Sequence, residues 1–167
     1  MIIFNTIFYP LILFCSFTIL CFKVDVFGIN SKRSSYLKET NYQRYQNVGI
    51  AKNTPHDLII TGTSLSEKFK PSLADIYFSA QSIKIPISGS SAREQSILIS
   101  KALNKTTKRV IWDIHYTAYS GNSNKMHKTS EFPLYLYDDS KLNDFKLYAN
   151  WNTLKLSTFT KLFKKTR

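Results

Sequence analysis

The sequence predicts an α/β chain, in which a parallel sheet lies between layers of helix and one transmembrane helix precedes it. Three observations predict this. Residues 2–22 carry no charged side chain and are mostly Ile, Leu, Phe and Cys. Three short apolar runs, Asp57–Thr61, Ile83–Ile87 and Arg109–Ile114, end at Gly62, Ser88-Gly89 and His115-Tyr116, with amphipathic stretches between them. The order strand, helix, strand, helix, strand implies right-handed crossovers and a parallel sheet covered on both faces.

Residues 1–22 are expected to be a transmembrane signal anchor, because about 20 apolar residues in a helix cross a ~30 Å hydrocarbon layer. Pro10, Asn5, Ser16 and Thr18 interrupt the run. A cleavable signal peptide is the competing reading, but the basic n-region and small-residue cleavage site it usually carries are both missing. A single-pass membrane protein is therefore expected. Its orientation is contested: Lys23, Lys32, Arg33 and Lys38 follow the segment, which by the positive-inside rule leaves the body cytoplasmic.

Residues 23–56 read as a polar connector, with Tyr42, Tyr45 and Val48 at helical spacing. Residues 57–167 read as the α/β domain. Asp57–Thr61 has the composition of a buried strand. Ser72–Ala80 follows as a helix, with Pro71 in its first turn and Leu73, Ile76 and Tyr77 on one side. Ile83–Ile87 is the second strand, although Pro86 cannot donate to a central ladder. Ser91 and Glu94 have the spacing of a capping box, and Ile97, Leu98 and Leu103 fit the helical face behind it. Arg109–Ile114 completes the sheet.

Composition removes several classes of function. The length of 167 residues fits one domain, and 14% aromatics argue against a disordered tail protein. Cys15 and Cys21 both lie in the apolar run, so no disulfide framework or cysteine zinc site is available. Lys and Arg number 23 against 11 acids, a net +12, yet residues 141–167 hold seven basic residues and Asp144, which is +6. Basicity is largely a property of the tail, and no zinc-finger or RNP-like pattern accompanies it. No specific nucleic-acid partner is expected.

Ligands of open parallel sheets bind beyond the carboxyl ends of the strands. The polar clusters Gly62–Ser66, Ser88–Ser90 and His115-Tyr116 would all gather on that rim. A serine there attacks an ester when a base takes its proton and backbone N–H groups hold the oxyanion. Gly62 permits a tight turn that exposes Ser64, and Gly89 leaves its own N–H unobstructed. The alternative is that Ser64 merely caps the segment after it and Gly89 merely ends a strand.

Several blocks together resemble a known family. Val24-Asp-Val-Phe-Gly-Ile-Asn30-Ser-Lys32, Asp57-Leu-Ile-Ile-Thr-Gly-Thr-Ser64, Phe69-Lys-Pro71, Ile87-Ser-Gly89-Ser-Ser-Ala-Arg-Glu94-Gln95 and Val110-Ile-Trp-Asp113 are similar to SGNH/GDSL-like membrane-anchored proteins of bacterial polysaccharide O-acyltransferase systems. Phe132-Pro-Leu-Tyr135-Leu-Tyr-Asp138 and Asn143-Asp144 extend the likeness to about residue 160. The resemblance implies a flavodoxin-like three-layer sandwich, an extracytoplasmic or periplasmic body, Ser64 as nucleophile and Gly89 as oxyanion donor. The family's third-block asparagine has no counterpart in Asp113-Ile-His115, and its final Asp–His pair has none after residue 140. The chain thus resembles an N-terminal half.

His56, His115 and His127 are the available bases. His56 precedes the first strand and reads as a surface residue at the wrong edge. His115 follows the third strand and is the candidate partner of Ser64, against the reading of a loop histidine bonded to a backbone carbonyl. His127 lies in the Gly121–Lys128 loop. Asp113 reads as a structural hydrogen-bonding group, Asp138-Asp139 as a solvated turn and Glu94 as a cap. Residues 144–165 read either as a basic amphipathic segment for an anionic membrane surface or as a helix that packs on a sheet.

The expected function is an SGNH-like acyltransferase or esterase, or an inactive truncated version, acting on cell-envelope glycan with an acyl donor. Ser64, Gly89 and His115 would form its site, with no metal or organic cofactor. The alternative is a non-catalytic interaction protein or remnant with a basic C-terminal segment, paired with a second polypeptide that supplies the missing half.

Overall fold

The computed structural model describes residues 2–30, 42–122, 124–126 and 131–163. The chain divides into two compact units, residues 27–138 and residues 1–26 with 139–167.

The larger unit is built on a parallel sheet of β1 (Leu58–Thr61), β2 (Ser82–Lys84) and β3 (Arg109–Trp112), in the order β2-β1-β3. Ile59 stands beside Ile83 on one side and Val110 on the other. All four residues of β1 are buried, as expected of a central parallel strand. Helix α3 (Pro71–Phe78) connects β1 to β2, and α4 (Ala92–Ala102) connects β2 to β3. Because the chain reverses direction across β1, right-handed crossovers put α3 and α4 on opposite faces. Side chains agree: Ile111 lines an apolar groove with Leu73, Tyr77 and Phe78 of α3, while its neighbour Trp112 bonds Gln95 of α4.

The edges of this sheet differ. Ile85 and Ile87 donate their amides to Ile60 and Gly62, so by alternation Ser82, Lys84, Pro86 and Ser88 face outward. Pro86 therefore removes no bond to β1, and its carbonyl accepts from Asn47 Nδ2 at 2.6 Å. The Ser82 amide donates to Asp75 Oδ1 and the Ser88 amide to Gln43 Oε1, both at 2.7 Å. This edge is blunted by protein. β3, at the other edge, has no strand beside it among the described residues, and Val110 and Trp112 are 39% and 36% exposed.

Helix α2 (Gln43–Asn53) covers α4 with a polar face: Arg44, Gln46 and Asn47 are all buried. Arg44 meets Glu94 in a two-pronged ion pair, Nε to Oε1 at 3.1 Å and Nη2 to Oε2 at 3.2 Å. Glu94 also closes the capping box of α4 with Ser91. The buried Tyr137 hydroxyl donates to the Arg44 carbonyl at 2.7 Å. A Cβ on Gly49 would lie 2.5 Å from the carbonyl oxygens of Phe27 and Gly28, so only glycine lets that strand of backbone cross α2.

The smaller unit contains α1 (Ile2–Val24), α6 (Phe145–Tyr148) and α7 (Trp151–Phe163); the four-residue α5 (Tyr116–Tyr119) belongs to the larger one. The membrane span expected at residues 1–22, and with it the single-pass membrane localisation, is corrected: among the described residues no helix is long and apolar enough to cross a membrane. Tyr9, Pro10, Ser16 and Thr18 break the apolar run of α1, and Thr18 and Cys21 are buried. Burial pushes the Cys21 thiol above its ordinary range. Tyr148 packs edge-on against Phe22 and lies 3.4 Å from Asp25 Oδ1. The fold expected from sequence is corrected to that extent: a mixed α/β chain with a small three-stranded parallel sheet and, among the described residues, no helix long and apolar enough to cross a membrane.

Candidate functional site

Three chain segments meet at the carboxyl ends of the strands. The Ile87 amide donates to the Gly62 carbonyl at 3.0 Å, and the Asp113 amide to the Thr61 carbonyl at 2.9 Å. Gly62, at φ 144°, is where they come closest: a Cβ there would lie 2.5 Å from Asp113 Cβ. A side chain at residue 62 would push the first and third turns apart. Thr63 is buried, and its hydroxyl donates to Asp113 Oδ2 at 3.0 Å. Asp113 thus holds the turn that carries the next residue.

Ser64 opens a 3-10 turn, Ser64–Lys68, and is exposed. No described side chain hydrogen-bonds its hydroxyl. The turn itself is fixed from beneath, where the buried Ser66 hydroxyl donates to the Thr63 carbonyl at 2.7 Å. Gly89 follows β2 at φ 63°, a backbone conformation that favours glycine. Its neighbours are held on both sides: the Ser88 amide by Gln43, the Ser90 hydroxyl by Gln95 Nε2 at 2.9 Å, and the Ser91 amide by Glu94 Oε2 at 2.9 Å.

Gln43 does more than hold Ser88. Its Nε2 donates to Glu67 Oε1 at 2.7 Å, so one side-chain amide ties the Ser64 turn to the Gly89 loop. Gln95 similarly joins the Gly89 loop to β3, since its Oε1 accepts from Trp112 Nε1 at 2.6 Å. Hydropathy patterning gives no sign of Gln43. Gln95 adjoins the capping glutamate, which is the one local hint of it.

The three histidines separate. His56 is buried at the opposite end of the sheet, not at the surface. Its Nδ1 lies 2.8 Å from the Thr54 carbonyl and its Nε2 2.9 Å from that of Ala102. It pins the approach to β1 to the end of α4. His115 stands at the correct edge, but its Nδ1 bonds Thr117 Oγ1 at 2.7 Å, not a backbone carbonyl. That contact occupies Nδ1, and Nε2 has no described hydrogen-bond partner. His127 lies outside the described residues. Partial burial, with the Asp113 carboxylate second, raises the Tyr119 phenol above its ordinary range.

Among the described residues no cluster of three or more His, Cys, Asp or Glu could hold a metal ion. The apolar groove, about 570 Å³, is lined by Phe69, α3 and Ile111 and includes none of Ser64, Gly89 and His115. Set against known proteins, the chain matches no family profile, no curated protein and no solved structure.

Proposed function

We propose that this rim is the acyl-transfer site of an SGNH-like esterase or acyltransferase, with Ser64 as nucleophile and a glycan-linked ester as substrate. The observation that carries the reading is the junction of three strand ends at Gly62, which brings the exposed Ser64 turn and the locked Gly89 loop to one edge. Ser64 Oγ would attack the acyl carbonyl and pass its proton to the His115 imidazole. The Gly89 N–H would donate to the oxyanion, and the alcohol would leave with the returned proton, forming an acyl-serine. The glycan and the acyl donor rest on the resemblance in the sequence blocks.

A second reading is favoured by a different observation: no histidine hydrogen-bonds the Ser64 hydroxyl among the described residues. On that reading the chain binds and does not catalyse. Hydrolysis of p-nitrophenyl acetate by the purified full chain, compared with Ser64→Ala and His115→Ala, separates the two. The enzyme reading expects both substitutions to abolish turnover and an acyl adduct on Ser64 by mass spectrometry. Turnover equal in the wild type and Ser64→Ala refutes it.

A further inference from the structure

We propose that β3 is a self-association edge, and that two copies of this chain pair antiparallel through it about a twofold axis. The inference is independent of Ser64 chemistry. Arg109 donates its amide to Asp57, just before β1, and Asp113 to Thr61 of β1, so by alternation the amides and carbonyls of Val110 and Trp112 point away from the sheet. The edge at β2 is closed by Asp75, Gln43 and Pro86, whereas no described strand satisfies the edge at β3. Exposed, unpaired strand edges template pairing with another chain.

Symmetry and hydrogen-bond phase leave few registers. A twofold axis perpendicular to the sheet keeps each face continuous, and outward-pointing residues must stand opposite one another to exchange bonds. The register with Ile111 on the axis puts Val110 opposite Trp112 of the second copy and gives four backbone hydrogen bonds. It also puts Arg109 opposite Asp113 twice, on one face. Centring the pair on Val110 places Lys108 against Trp112 and Arg109 against Ile111; centring it on Trp112 places Asp113 against Ile111. Charge complementarity therefore selects the Ile111 register. Opposite charges directly across a strand pair stabilise it, and like charges weaken it. Arg109 is exposed and Asp113 half-buried, so neither must leave a core to meet its partner.

Sedimentation equilibrium of the full chain tests the proposal at low salt. The wild type is expected to be a dimer. Arg109→Asp and Asp113→Arg each raise the dimer dissociation constant by roughly tenfold or more, and the double exchange restores the dimer. Circular dichroism monitors folding, because Asp113 also bonds Thr63. Val110→Pro supplies an independent variant: it deletes an outward amide while leaving the β1 ladder intact, and is expected to be monomeric. A monomeric wild type, a folded Val110→Pro that still dimerises, or folded single and double charge variants of equal affinity would each overturn the proposal.

Discussion

Truncating Glu94 to alanine should destabilise the sheet unit by about 3–5 kcal/mol, because it strands the Arg44 guanidinium without its counter-charge. The Glu94 side chain is fully buried and that of Arg44 is 8% exposed, so water cannot substitute for the lost carboxylate. The substitution also removes the acceptor of the Ser91 amide, half of the capping box on α4. Loss of a full cap costs on the order of 1 kcal/mol, so the ion pair dominates. Against a total stability of roughly 5–15 kcal/mol, the change is large. Urea unfolding followed by circular dichroism reads it as a lower midpoint at constant slope. The Arg44→Met/Glu94→Leu variant should recover most of the loss, since replacing both partners by apolar groups leaves no orphaned charge. Loss of less than about 1 kcal/mol in Glu94→Ala would refute the reasoning: it would mean that Arg44 is solvated, or satisfied elsewhere, once its partner is gone.

Two further outcomes follow from the geometry. Gly62→Ala should destabilise the chain by roughly 1–3 kcal/mol through its positive φ alone, with overlap against Asp113 adding to it; thermal unfolding measures the shift. Burial raises the phenols of Tyr137 and Tyr148 well above their ordinary range, with Asp25 adding to the effect at Tyr148. The native state therefore favours the protonated form. Their contribution is fully present below the unfolded value of about pH 10 and is lost as pH rises above it towards the folded value. Ultraviolet tyrosinate absorbance should rise for these two residues only together with loss of structure, and their ionisation at ordinary pH in the folded chain would contradict the burial.

Strands and their connecting helices were legible in the sequence because each apolar run is short, punctuated by Gly or polar pairs, and separated by periodic segments. The Ser91–Glu94 box marked the start of α4 for the same local reason. Pro86 looked like an objection and is none, since alternation turns its missing donor outward. Helix α2 was legible only in part: Tyr42, Tyr45 and Val48 have helical spacing, but the helix also buries Arg44, Gln46 and Asn47, which hydropathy patterning reads as solvent-facing. His56 was misplaced because its two carbonyl partners lie 2 and 46 residues away, and only the closed fold brings the second one in. At the rim, Ser64 and Gly89 could be named from turn chemistry. Gln43, which couples their loops, depends on contacts 24 and 45 residues distant. The apolar run at the N-terminus misled in the other direction: Pro10, Ser16 and Thr18 were read as interruptions that leave a span possible, yet no described helix is long and apolar enough to cross a membrane.

Pro86 also bears on how large an assembly can become. A ribbon able to recruit neighbours on both flanks lengthens without limit, whereas one with a flank lacking its donor stops after a single addition. A strand docking along Arg109–Trp112 would then finish the sheet, because the far flank is closed by the missing donor of Pro86 together with the Ser82 and Ser88 amides, which are bonded to Asp75 and Gln43.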